Sequence, residues 1–188
     1  MTVNVAISGF GRIGRLILRS IIESKRKDIN VVAINDLAPV DTNAFLLAND
    51  TVHGPLNEKI SVKKNKMTIG RKTISVLNER DPQKLPWKKM KIDVALECTG
   101  LFTSKEKASM HIKAGAKKVL VSAPCSEADK TIVYGVNEQE ITRNDLVVSN
   151  ASCTTNCLAP VVKVLHEKFG IVHGYMTTIH AFTGDQSV

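Results

Sequence analysis

The segment SNASCTTNC sets Cys153 and Cys157 four residues apart among small hydroxyl residues. Such a pair suits a thiol nucleophile, a pair of metal ligands, or the small-residue start of a helix. No Cys-x-x-Cys pair and no Cys/His zinc spacing accompanies it, so no metal site is expected. Ser149-Asn150 reads as a strand end and Ser152 as a helix start, which places Cys153 in the first helical turn. The positive end of the helix dipole depresses a thiol pKa there, and the thiolate is the nucleophilic form. Cys157, one turn deeper beside Leu158, reads as a small core residue.

A nucleophilic cysteine needs a base or a cationic partner. Of five histidines, His111 and His166 read as surface or packing residues of helices, and His173 begins a strand. His53 lies in a turn with no obvious partner. His180, flanked by threonines in TTIHAFTG, ranks first on spacing. Cys98 and Cys125 complete a set of four cysteines, too few and too irregular for a disulfide scaffold.

A second constellation lies at the N-terminus, where VNVAISGFGRIGRLIL contains Gly9-x-Gly11-x-x-Gly14. The motif follows a strand and opens a helix, the context that makes it a dinucleotide-binding turn. Gly9 permits the tight turn, Gly11 lets backbone approach a pyrophosphate, and Gly14 lets helix and strand pack. The helix N-terminus faces the phosphates with unpaired N–H groups. Asp36, ending the second strand in VVAINDL, is placed to accept hydrogen bonds from adenosine ribose and to repel a 2′-phosphate, favouring NAD over NADP. The bland alternative is that Asp36 caps a turn. Thr99-Gly100 and Ser122 end later strands and either line the cofactor crevice or form ordinary turns.

The elements that must hold these groups alternate. Strands are expected at VNVAIS, INVVAIND, IDVALECTG, KKVLVSAP and LVVSN, with a last one at IVHGYMTTIHAF. Helices are expected over GRLILRSIIES with Arg15 and Arg19 outward, over DTNAFLLAN capped by Asp41 or Thr42, over SKEKASMHIKAGA closed by Gly115, and from Ser152 to Phe169 closed by Gly170. The run EKISVKKNKMTIGRKTISVLNE reads as antiparallel hairpins and DPQKLPW as a loop. Alternation with near-continuous apolar strands predicts an α/β fold: a mostly parallel sheet with helices on both faces.

The 188 residues are 43% hydrophobic and 23% charged, enough to bury a core. No basic leader or cleavage site is seen at the N-terminus, and no run reaches the ~18 apolar residues of a span. A soluble, cytoplasmic protein with no membrane partner is expected. The net charge of +8 is spread over scattered lysines, with one Trp and two Tyr for stacking, so nucleic acid is not expected as the main partner. A basic surface that attracts phosphorylated metabolites fits better.

GFGRIGR, AINDL, ECTG, SNASCTTNCLAP and TTIHAFTGDQ stand in the order and spacing found in phosphorylating glyceraldehyde-3-phosphate dehydrogenases, and the sequence resembles that family along essentially its whole length. The resemblance implies a Rossmann-type NAD-binding domain over residues 1–151 and the start of an α+β catalytic domain over 152–188. It implies Cys153 as catalytic cysteine and His180 as catalytic histidine. It implies cofactor contacts at Arg12, Ile13, Asp36, Arg80 and Ser122, and substrate or phosphate contacts at Ser152, Thr154 and Thr183. Implied too are glyceraldehyde 3-phosphate and inorganic phosphate as substrates and a homotetramer. LANDTVHGPL and Leu101, where many members carry arginine, depart from the family pattern as branch variation. Because family members are longer, this sequence is expected to be an N-terminal portion or an interrupted gene product, binding NAD weakly with little turnover. Two alternatives are an erythrose-4-phosphate dehydrogenase, which hydrolyses its thioester, and a non-catalytic dinucleotide- or RNA-binding module.

Overall fold

A computed structural model of the protein describes residues 2–181. The first half runs β1 (Val3–Ser8), α1 (Arg12–Glu23), β2 (Ile29–Asn35), α2 (Val40–Ala48), β3 (Asn49–Asp50), β4 (Gly54–Pro55), β5 (Ile60–Val62), β6 (Lys66–Ile69) and β7 (Lys72–Leu77). The second half runs α3 (Trp87–Met90), β8 (Val94–Glu97), α4 (Lys105–Ala108), α5 (Met110–Lys113), β9 (Lys118–Val121), β10 (Lys130–Thr131), β11 (Val147–Ser149) and α6 (Cys153–Phe169). Among the described residues one sheet has the order β10-β11-β9-β8-β1-β2-β7-β6-β5. Every pair from β10 to β7 is parallel, and β7, β6 and β5 continue as an antiparallel meander.

Parallel strands need crossovers, and these crossovers cover both faces. On one face Ala6, Ala33, Ala95, Val119, Val121 and Val147 pack with Trp87, Ile92, Ala108 and Ala114. On the other, Ile7, Val31, Ile34 and Val76 pack with Leu18 of α1 and Ala44 and Leu47 of α2. Among the described residues, no helix is long and apolar enough to cross a membrane.

Four local expectations are corrected. Arg19 is buried at 4% exposure instead of facing outward. Its guanidinium donates to Glu23 at 2.6 Å and to the carbonyls of Gly54, Pro55 and His53 at 2.7, 3.1 and 3.2 Å, so a fork of fixed donors replaces water. The cap of α2 is Pro39 with no side-chain bond, because Asp41 already lies inside the first turn. The helix expected through 105–113 is interrupted at Ser109, whose hydroxyl donates back to the Lys105 carbonyl at 2.6 Å. Residues 171–181 form no strand, since no described strand lies alongside to complete their hydrogen bonds.

The strand β11, flanked by β10 and β9, carries the chain into α6 and is pinned by Asp129. One carboxylate oxygen accepts the N–H groups of Leu146 and Val147, both at 2.9 Å, and the other meets the Lys105 ammonium at 2.5 Å. The Lys105 bond, then the Val147 amide, hold the Asp129 carboxyl at about 2, below the usual 3.8. A depressed carboxyl stabilises the fold fully above its unfolded pKa and loses that contribution as pH falls through the folded one. Asp129→Ala should lower the unfolding free energy by about 1–3 kcal/mol at pH 7, and the gap to wild type should close between about pH 4 and pH 2, read by urea melts across that range.

Candidate active site

Five chain segments leave the sheet at the carboxyl edge of its parallel strands, and one row of hydrogen bonds aligns them. The Asp36 N–H donates to Leu77 O at 3.0 Å, Gly9 to Asn35 at 2.8 Å, and Cys98 to Ser8 at 2.7 Å. Ser122 donates to Glu97 at 3.0 Å and Asn150 to Val121 at 2.9 Å. Each bond extends the ladder one residue past a strand end. Gly9, Asp36, Thr99, Ser122 and Cys153 therefore all emerge on the edge where ligands sit in open α/β sheets.

At the glycine turn the three positions differ. Gly9 has φ +86°, and a Cβ there would stand 2.6 Å from Thr99 N and 2.8 Å from the Cys98 carbonyl oxygen. A Cβ on Gly14 would stand 2.2 Å from Gly9 O, so α1 can lie this close to the turn only with glycine. Gly11 has open space where its Cβ would project. It caps α1 without a side-chain bond, and the first turn carries no acid. The N–H groups of that turn thus face an open region suited to an anion. Arg12 turns its side chain to Asp50 at 3.1 Å, and Ile13 is exposed. Asp36 accepts the Phe10 N–H at 2.6 Å on Oδ2, and the Ala38 N–H at 2.9 Å and the Asn43 side-chain amide at 3.4 Å on Oδ1. The carboxylate is thereby fixed beside the turn with further lone pairs available. Arg80, three residues beyond β7, is exposed at the same edge.

Thr99 and Gly100 rest on a buried network absent from the sequence reading. Glu97, 1% exposed, accepts the Thr99 N–H at 2.7 Å and the Thr99 hydroxyl on the same oxygen. Its other oxygen meets His111 Nε2 at 2.8 Å. The indole N–H of Trp87 donates to His111 Nδ1 at 3.0 Å, which leaves the Nε2 proton to donate to Glu97. Trp87 and His111 are both fully buried. The packing reading of His111 is right as to place but missed its partner. The available signal was a carboxylate at an inward strand position, which stays buried only when satisfied.

Cys153 opens α6 behind a demanding backbone. Ala151 sits at φ +56° with its N–H on Ser149 Oγ at 3.1 Å, and Ser152 caps the helix by accepting the Thr155 N–H at 3.0 Å. Asn156 ties this turn to the Asn150 carbonyl at 2.7 Å. The Cys153 sulfur lies 3.3 Å from His180 Nε2. His180 Nδ1 stands 2.5 Å from the Ala181 carbonyl, which only a protonated Nδ1 can satisfy, so Nε2 faces the thiol as acceptor or, in the imidazolium, as donor. The His180 hydrogen bond lowers the Cys153 pKa from its ordinary value; burial opposes it, and weaker bonds from Thr154 add to the lowering. Burial instead pushes the Cys98 thiol up to about 11 and raises Cys125. Cys157 is exposed, contrary to the core expectation, because α6 buries none of its residues among those described. Thr154 is half-buried beside Cys153, and Thr183 lies outside the described residues.

Fold and site together define an α/β domain with a dinucleotide-type glycine turn, of the kind found in nicotinamide-dependent oxidoreductases, joined to a helix that presents the Cys153 thiol beside His180. The family model described as glyceraldehyde 3-phosphate dehydrogenase, NAD binding domain, matches residues 3–105, and that for the C-terminal domain matches residues 152–188. Curated proteins named glyceraldehyde-3-phosphate dehydrogenase from Cereibacter sphaeroides and Xanthobacter flavus are each 60% identical over 186 residues, 99% of this chain. One from Thermotoga maritima is 52% identical over 184 residues. The chain belongs to the glyceraldehyde-3-phosphate dehydrogenase family. It spans about 55% of the length of these relatives.

Two outcomes test the site. Iodoacetamide should label Cys153 first, with a midpoint below the ~8.5 of an ordinary thiol, and His180→Asn should move that midpoint upward. Cys98 should stay unlabelled until the protein is denatured, as read by peptide mass spectrometry. Glu97→Gln turns its amide NH2 either against the His111 Nε2 proton or against the N–H and hydroxyl of Thr99, and should cost about 2–3 kcal/mol in chemical denaturation.

Proposed function

We propose that this chain carries the cofactor site and the nucleophile for NAD-dependent oxidation and phosphorylation of glyceraldehyde 3-phosphate to 1,3-bisphosphoglycerate, a glycolytic step. The supporting observation is the Cys153 sulfur 3.3 Å from His180 Nε2, in the first turn of a helix that leaves the same sheet edge as the glycine turn. The names of the relatives and the family models agree with this reading. In it residues 1–151 form the NAD-binding domain, and 152–188 begin the catalytic domain.

Gly9, Gly11 and Gly14, with the backbone of Arg12 and Ile13, receive the pyrophosphate. Asp36 takes the adenosine ribose, while Arg80, Thr99, Gly100 and Ser122 line the rest. The open space at Gly11 and the fixed Asp36 carboxylate fit that role. Bound NAD supplies the hydride acceptor. Cys153 attacks the aldehyde carbon as thiolate, forming a C–S bond and moving the carbonyl electron pair onto oxygen. His180, as imidazolium, donates to that oxygen and, as base, takes its proton when hydride is lost. The resulting thioester holds the acyl group until an oxygen of inorganic phosphate attacks, the C–S bond breaks and the thiolate returns. Ser152, Thr154 and Thr183 hold the phosphate groups. Small-molecule partners, a cytoplasmic location and a homotetramer complete the reading.

Incubation with glyceraldehyde 3-phosphate and NAD, followed by acid quench and mass spectrometry, should find an acyl adduct on Cys153 that is absent in Cys153→Ser. Gly11→Ala should leave thermal stability unchanged and weaken NAD binding at least about tenfold in calorimetry. Erythrose 4-phosphate outcompeting glyceraldehyde 3-phosphate, an adduct on another cysteine, or equal affinity for NAD and NADP would each overturn the assignment.

A further inference from the structure

A cavity of about 410 Å³ lies at the far end of α1 from the glycine turn, between that helix and the β5–β7 meander. One helix of twelve residues, roughly 18 Å, separates the two. The volume falls in the range of small-molecule sites, about 300–1,000 Å³. Its floor is aliphatic: Leu18, Val31, Ile69 and Ile74 are buried there, and Ile21 and Ile22 are half-buried on its wall. Its rim is cationic, with Lys25, Arg26, Lys27, Arg71 and Lys72.

These cations lack a structural assignment. Arg26 is paired with Asp28, but Lys25, Lys27, Arg71 and Lys72 form no ion pair among the described residues. They are not needed to close α1 either. The carbonyls of Ser20, Ile21 and Ile22 already accept the N–H groups of Ser24, Arg26 and Lys25, with Lys25 in the left-handed region at φ +54°. One acid, Glu58, shares the rim, where it leans against Gly70. An apolar floor beneath several uncompensated positive charges matches one ligand chemistry: an aliphatic chain that ends in an anion.

We propose that this cavity binds a single-chain amphiphilic anion, an acyl carboxylate, with its chain against Ile21, Ile22, Ile69 and Ile74 and its head among Lys25, Arg71 and Lys72. The site is separate from the cofactor edge, so occupancy does not require the dehydrogenase reading to hold.

The probes are decanoate, below its micelle concentration, and decanol, which has the same chain without charge. Titration calorimetry on the 188-residue protein should give one decanoate per chain, with decanol at least about tenfold weaker. Methyl shifts should concentrate at Leu18, Ile21, Ile22, Ile69 and Ile74. Arg71→Glu should weaken decanoate about tenfold and Glu58→Gln should tighten it, both leaving thermal stability and NAD affinity unchanged. Ile22→Trp should fill the cavity and abolish binding. Equal affinity for decanol, indifference to Arg71→Glu, methyl shifts elsewhere, or no saturable binding would each overturn the proposal, whatever the fate of the catalytic assignment.

Discussion

The site depends on a row of five backbone hydrogen bonds that runs across the sheet just past its strand ends. Each joins the first residue of a functional loop to the last carbonyl of the neighbouring strand. Parallel pairing permits this, because all strands from β10 to β7 point the same way. A slip by one residue in any pair would reverse which side chains face the core. Burial of Ile7, Ala33, Ala95 and Val119 therefore also fixes the placement of Gly9, Asp36, Thr99 and Cys153. Packing energy spent on the sheet is what aligns these loops with one another.

The four thiols show how position sets chemistry when residue type does not. Cys98 begins a loop of the row yet is largely shielded, and burial, with the Glu97 charge adding to it, raises its pKa to about 11. Cys125 is buried and also raised. Cys153 differs by two geometric facts: the helix start that aims N–H groups at it and the imidazole 3.3 Å away. Charge stabilisation here comes from named donors, with the helix end as background.

Features carried by local rules were legible in the sequence. The glycine spacing, the acid after β2, the Ser152 cap and the Gly170 stop each act within a few residues, and composition reveals them. Partnerships formed by the fold were not legible. Arg19 follows the helical period of an outward residue, but the turn at 53–55 closes over it and supplies three carbonyl acceptors. Glu97 reads as one polar letter at the end of an apolar strand, and the partner that keeps it satisfied inside the core, His111, stands fourteen positions away and is itself held by Trp87. The residues after Gly170 have strand composition, but composition cannot supply a neighbouring strand. Cys157 follows the pattern of a core residue on a helix whose described surroundings leave it bare.

The network beneath Thr99 has an optical side. Trp87 is the chain's single tryptophan and is fully enclosed, with its indole N–H committed to His111. Emission excited at the red edge of the indole band, where the two tyrosines do not absorb, therefore arises from one fluorophore, wired through an imidazole and a carboxylate to the loop at the sheet edge. An apolar cage holds such emission toward shorter wavelengths, and a loosened cage would let it drift red. The molecule thus contains its own gauge of whether the floor under that loop is intact.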